Sequence, residues 1–171
     1  MRLFHVSEES DITEFVPRIP TRDDLDKSKG IVWAITDKCL ANFLTPRDCP
    51  RVTYHASKHT AQTDIAKFFS SSARHCIAIE HSWYERVANT TLYLYEFDTS
   101  DFYLQDEVAG FYVSEKTQMP ISKIKLDNIF DELFARNVEV RIMNNLWQLA
   151  ESVKTSTLNW SLCRMINATV E

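Results

Sequence analysis

Two glycines in 171 residues, Gly30 and Gly110, constrain this chain more than any other feature of its sequence. Glycine is usually about 7% of a soluble protein, so a chain of this length ordinarily carries about 12. A Rossmann-type fingerprint clusters its glycines in one turn, and a P-loop brackets a short gap with glycines ahead of a lysine. Neither can be assembled from two glycines this far apart. A nucleotide bound here must be held by another architecture.

The rest of the composition is that of an ordinary folded domain. A hydrophobic content of 44% supports a packed core, and the length suits a single domain over residues 1–171. Against 24 acidic residues stand 19 basic ones, giving a net charge of −5. With no basic stripe, nucleic acid is a poor match as a partner. The longest wholly apolar stretch is 31–35, far short of the roughly 20 residues a membrane-spanning helix needs, so no membrane partner is expected. The opening Met-Arg-Leu-Phe-His turns acidic by Glu8 and has no signal-peptide core. Cys39, Cys49, Cys76 and Cys163 form no CxxC pair. That pattern fits reduced thiols in a cytoplasmic protein.

Periodicity gives a coarse map. Strands are expected at 3–6, 31–35, 52–56, 76–80, 92–97, 110–115 and 122–126. Val138, Val140 and Ile142 alternate with Glu139 and Arg141, which predicts a strand wet on one face. One helical turn is expected at 11–15, halted by Pro17 and Pro20, and a short helix from Thr36 or Asp37 to Leu44. Ala61, Ile65 and Phe68 mark a helix over 60–69. Ile129, Phe130, Leu133 and Phe134 mark another, and Leu146, Trp147, Leu149, Ala150 and Val153 the last. The stretch 21–30, with six charges, reads as an exposed loop. Strands outnumber helices without alternating with them, so the expected class is α+β with mixed or antiparallel sheets and a few short helices. The apolar tail over 158–168 either packs back onto the domain or meets a partner.

Four constellations could carry chemistry. His5 and Ser7 are two apart on a strand and so share a face, able to hold one ligand together; equally, the histidine could bond a loop while Ser7 caps a turn. Pro46-Arg47-Asp48-Cys49-Pro50-Arg51 holds two guanidinium groups and a thiol in a segment stiffened by prolines. A pre-ordered arginine loses less entropy on gripping a phosphate or carboxylate. Cys49 would become a nucleophile only if His5 or His55 lowered its pKa. His55 and His59, four apart, have the spacing of two zinc ligands on a helix but no third ligand at a characteristic distance, so no metal is expected. Gly110-Phe111-Tyr112-Val113-Ser114-Glu115 ends in a carboxylate able to hold a ribose or stabilise a developing cation, with Glu96 as its competitor.

Residues 3–7, 46–52 and 160–168 together resemble a family of uncharacterised bacterial proteins of about this length, and the likeness runs along nearly the whole chain. More distantly, the order of features resembles the ADP-ribosyltransferase-like fold. In that order an early strand ends in His-x-Ser/Thr, a second strand is led by glycine, and a later strand ends in an acid. This resemblance implies a split-sheet architecture with NAD as substrate. His5 and Ser7 would then contact ribose, Trp33 would stack on nicotinamide, Tyr112 would line the ligand site, Arg47 or Arg51 would meet phosphate, and Glu115 would stabilise the transition state. Val6 stands where those enzymes usually carry glycine, and Trp33 where tyrosine is usual. Two functions follow: an NAD- or nucleotide-binding protein that transfers ADP-ribose or cleaves NAD, or a non-catalytic module that binds a small molecule or a protein partner.

Overall fold

The structure, a computed structural model, describes residues 1–21 and 25–170. The charged loop expected over 21–30 falls partly on residues 22–24, which lie outside the described residues. Among the described residues, ten strands form two sheets, accompanied by four short α-helices and several 3-10 turns. The chain groups into two compact units, residues 1–40 with 92–125 and residues 41–91 with 126–171. Neither unit is a continuous segment. The class is α+β, as composition and periodicity imply.

The first unit holds a six-stranded sheet. Its strands are β1 (Leu3–Ser7), β2 (Val32–Thr36), β5 (Leu92–Phe97), β6 (Tyr103–Asp106), β7 (Phe111–Ser114) and β8 (Ser122–Leu126), in spatial order β6-β7-β2-β1-β5-β8. β1 pairs antiparallel with both β2 and β5, and β2 with β7. Strand alternation sorts the side chains into two faces. Leu3, Val32, Ala34 and Phe97 form a buried cluster, with Phe15, Phe102 and Tyr112 packed against it. Phe4, Trp33 and Phe111 belong to the opposite face.

The second unit holds a four-stranded sheet of β3 (Arg51–His55), β4 (His75–Glu80), β9 (Val138–Met143) and β10 (Asn159–Cys163), in the order β10-β3-β4-β9. β3 is antiparallel to its two neighbours, whereas β4 and β9 run parallel. Helices α1 (Gln62–Phe68) and α4 (Trp147–Lys154) help to bury Val52, Tyr54, Cys76 and Ala78 on one face, together with Phe68, Leu146, Ala150 and Val153. The remaining helices are α2 (Tyr84–Ala88) and α3 (Ile129–Ala135).

Three expectations change, and the alternative left open for the tail is decided. No helical turn forms at 11–15. Instead the Ile12 N–H donates to the Tyr95 hydroxyl at 3.2 Å, and Phe15 exchanges backbone hydrogen bonds with Gln118, so tertiary partners claim the groups a helix would use. The helix expected after Thr36 is a 3-10 helix, Asp37–Phe43. The wet face expected on β9 is the one turned toward the helices. Arg141 donates to Glu139 and to the Phe68 carbonyl, and Ser70 and Ser71 hydroxyls donate to the same carboxylate. The tail packs back, because β10 pairs with β3 over its whole length.

Candidate binding site

β1 and β2 form a ladder only at Leu3↔Thr36 and Phe4↔Ile35. Beyond those two pairs β1 continues to Ser7, still registered against β5, and β2 is held by β7. At this fork His5 takes over from the ladder. Its Nδ1–H donates to the Trp33 carbonyl at 3.1 Å, which leaves Nε2 as the second hydrogen-bonding atom of the ring. The imidazole also meets the Phe15 ring at 4.7 Å. His5, Val6, Ser7 and Trp33 are all half-buried. Of the sequence alternatives, the capping role of Ser7 is present, since its Oγ accepts the Glu9 N–H at 3.1 Å and closes the turn after β1.

The register separates the other candidates. Ala34 stands opposite Tyr112, and Tyr112 packs against the Leu3–Phe97 cluster, on the face that carries His5 and Ser7. The Trp33 indole points to the other face, edge-on to Phe111 at 5.0 Å. Glu115 belongs to that second face too, where it accepts from Lys29 Nζ at 2.9 Å and from the Tyr103 hydroxyl at 3.2 Å. The lysine hydrogen bond holds the Glu115 carboxyl below its usual pKa. Glu96 is more firmly engaged. Arg2 grips it with two hydrogen bonds of 2.7 and 2.8 Å, Ser122 adds a third, and the guanidinium pulls its pKa down to about 2.

Arg47 and Arg51 lie in the second unit and do different things. Arg47 is exposed in the turn closed by the Cys49 N–H to Pro46 carbonyl bond. Arg51 is the first residue of β3 and is only 6% exposed. It donates from Nε to the Asn42 carbonyl at 2.6 Å and from Nη1 to the Cys49 carbonyl at 3.0 Å, with its guanidinium beside the Phe43 ring. Cys49 is fully buried, and burial pushes its thiol up to about 12, so it holds no thiolate near neutral pH. His55 is in a strand and His59 in the turn beyond it, so they share no helix face. Among the described residues no three His, Cys, Asp or Glu side chains gather closely enough to hold a metal ion, and no helix is long and apolar enough to cross a membrane.

One polar group had no counterpart in the sequence argument. Arg51, Thr53 and His55 occupy alternate positions of β3, with His75 directly opposite His55. The two imidazoles lie 5.3 Å apart. His75 Nε2 donates to Asn42 Oδ1 at 2.6 Å, and Asn159 Nδ2 donates to His55 Nε2 at 3.2 Å. The signal was the alternation of Arg51, Thr53 and His55 with apolar Val52 and Tyr54, which a search for metal spacing passes over.

Comparison with known proteins yields no curated protein and no solved structure that matches. A family model described as "Family of unknown function (DUF6886)" matches residues 4–168. That span takes in both sheets, and the chain therefore belongs to this family of unknown function.

Proposed function

We propose that this protein binds a nucleotide at the fork between β1 and β2, with NAD or its ADP-ribose portion as the ligand class, and acts as a binding module. The observation that carries the proposal is the two-pair ladder, beyond which His5 and Trp33 flank parted strands. The imidazole at the parted strands offers hydrogen bonds to a ribose, and the half-buried Phe15 ring, 4.7 Å from it on the same face, offers an aromatic surface. Transfer of ADP-ribose passes through an oxocarbenium-like state and needs a carboxylate at the reacting carbon. Glu115 is tied to Lys29 on the face away from His5, which favours binding over transfer.

Isothermal calorimetry with NAD and ADP-ribose tests the proposal. Saturable heat is expected, weakened by about tenfold or more in His5→Ala, a loss of about 1.4 kcal/mol. No heat at millimolar ligand would end it. Nicotinamide release that disappears in Glu115→Gln would establish the catalytic alternative, an ADP-ribosyltransferase or NAD glycohydrolase.

A further inference from the structure

After β1, residues 8–18 cross the face of the six-stranded sheet that carries His5. Residues 8–14 form no helix or strand, and 8–11 are exposed. The strap opens on the turn where Ser7 Oγ accepts the Glu9 N–H. It closes where Arg18 and Ile31 exchange backbone hydrogen bonds of 3.1 and 2.9 Å. Glu8, Glu9, Asp11 and Glu14 along it are all exposed to water.

Between those ends the strap is fastened from beneath. Tyr95, 1% exposed, stands directly opposite His5 in the β1–β5 ladder. Its hydroxyl donates to the Glu9 carbonyl at 2.7 Å and accepts the Ile12 N–H at 3.2 Å, so one side-chain oxygen holds two main-chain groups. Lys123 Nζ donates to the Ser10 carbonyl at 2.7 Å. Phe15 exchanges backbone bonds with Gln118, and its ring lies 4.7 Å from His5, 5.3 Å from Tyr95 and 5.0 Å from Phe97. β1 itself is different, since it is registered against β5 along its whole length from Leu3 to Ser7. A segment fastened by isolated bonds opens more readily than a strand inside a ladder. Opening this one lifts Phe15 off His5.

We propose that residues 8–17 are the lid of the nucleotide fork, latched by the Tyr95 hydroxyl, and that ligand reaches His5 when this lid opens and is enclosed when it closes. The lid rests on the reading of the fork as a nucleotide site and adds how that site is gated. Latch and site are coupled by position. Tyr95 neighbours His5 on the adjacent strand, and the Phe15 ring packs against both, so a ribose held at His5 re-seats the ring that the strap carries. Closure then lays an aromatic surface over the bound ligand and excludes water from it. Loosening the latch speeds both entry and release.

Hydrogen exchange of the intact protein, followed amide by amide by NMR, tests the lid before any ligand is added. The Ile12, Phe15 and Gln118 amides are expected to share one level of protection, below that of the β1–β5 ladder. Tyr95→Phe removes the latch and keeps the ring, so exchange at Ile12 and Phe15 should rise about tenfold with the ladder unchanged. Saturating NAD should slow the same amides in the wild type. Equal protection of strap and ladder in the wild type overturns the lid, and that measurement decides alone if the variant fails to fold. An increase in Tyr95→Phe confined to Ile12, or spread over the whole sheet, overturns it as well. Heat with NAD but no slowing at Ile12 and Phe15 overturns the lid and leaves the fork standing. Strap opening without any heat from NAD is the failure of the fork itself, and the lid's role ends with it.

Discussion

Gly110 sits at φ +70° directly ahead of β7, and a Cβ built there would lie 2.6 Å from Thr36 Oγ1 and 2.8 Å from both Cβ and Sγ of Cys39. Two effects therefore add in Gly110→Ala. The left-handed conformation costs a residue with a Cβ about 1–2 kcal/mol, and overpacking against a buried cysteine costs a comparable amount. A loss of about 2–4 kcal/mol in urea unfolding is expected. Gly30 has no such backbone constraint, and its neighbour is Pro17 at 3.1 Å, a tight contact that small backbone shifts relieve. Gly30→Ala should cost about 1 kcal/mol or less. Equal costs for the two substitutions would contradict this account. The scarcity of glycine thus has a structural meaning. Each glycine stands where another segment crowds the backbone, and neither cradles a phosphate.

At the scale of elements, the C-terminal segment shows how a strand and its continuation are secured. β10 pairs with β3, and beyond it Thr169 donates its backbone N–H and its hydroxyl to Glu80, which is 1% exposed. The Thr169 carbonyl in turn accepts from Asn145 Nδ2 and Trp147 Nε1, each at 3.0 Å. Thr169→Val keeps the shape and removes one donor from a buried carboxylate, so a destabilisation of about 1–3 kcal/mol is expected. The denaturation midpoint should fall with an unchanged slope. A midpoint equal to that of the wild type would mean that Glu80 does not depend on this hydroxyl. The same segment marks the limit of what periodicity conveys. Long apolar or alternating runs such as Leu92–Phe97 and Ser122–Leu126 are strands with the expected bounds. β6 and β10 leave no such trace, because β6 is an edge strand with exposed Tyr103 and Leu104, and β10 mixes Asn, Trp, Ser, Leu and Cys. Their pairing is set by the neighbouring strand. The candidate site follows the same logic. His5 and Ser7 were legible as a same-face pair, but only the register reveals that Trp33 and Glu115 face the other way. Likewise His75 becomes a partner of His55 only once β3 and β4 are aligned.

Across the whole molecule, each unit contains a carboxylate whose ionised form is bound by arginine and serine. In the first unit Arg2 and Ser122 hold Glu96, with its pKa brought down to about 2. In the second, burial pushes Glu139 upward, but hydrogen bonds from Arg141 and Ser70 outweigh it and leave the group below its usual value. A carboxylate with a depressed pKa in the folded state contributes stability that is fully present above its unfolded value and is lost as pH falls toward the folded one. For Glu96 the window runs from about 4.5 down to about 2. Because Arg2 is largely exposed, solvent screening keeps the gain modest. Thermal melts of the wild type and Glu96→Gln at matched ionic strength should therefore differ by a few degrees near neutral pH. The variant is the less stable, and the two curves should converge as pH approaches 2. The amide cannot be titrated, so the variant's stability should depend less steeply on pH within that window. Parallel curves from pH 7 to 2 would show that the Arg2–Glu96 pair contributes no pH-linked stability. Convergence well above pH 4 would contradict the depressed pKa of Glu96, because every other carboxylate, Glu139 included, titrates in both proteins and cancels from their difference.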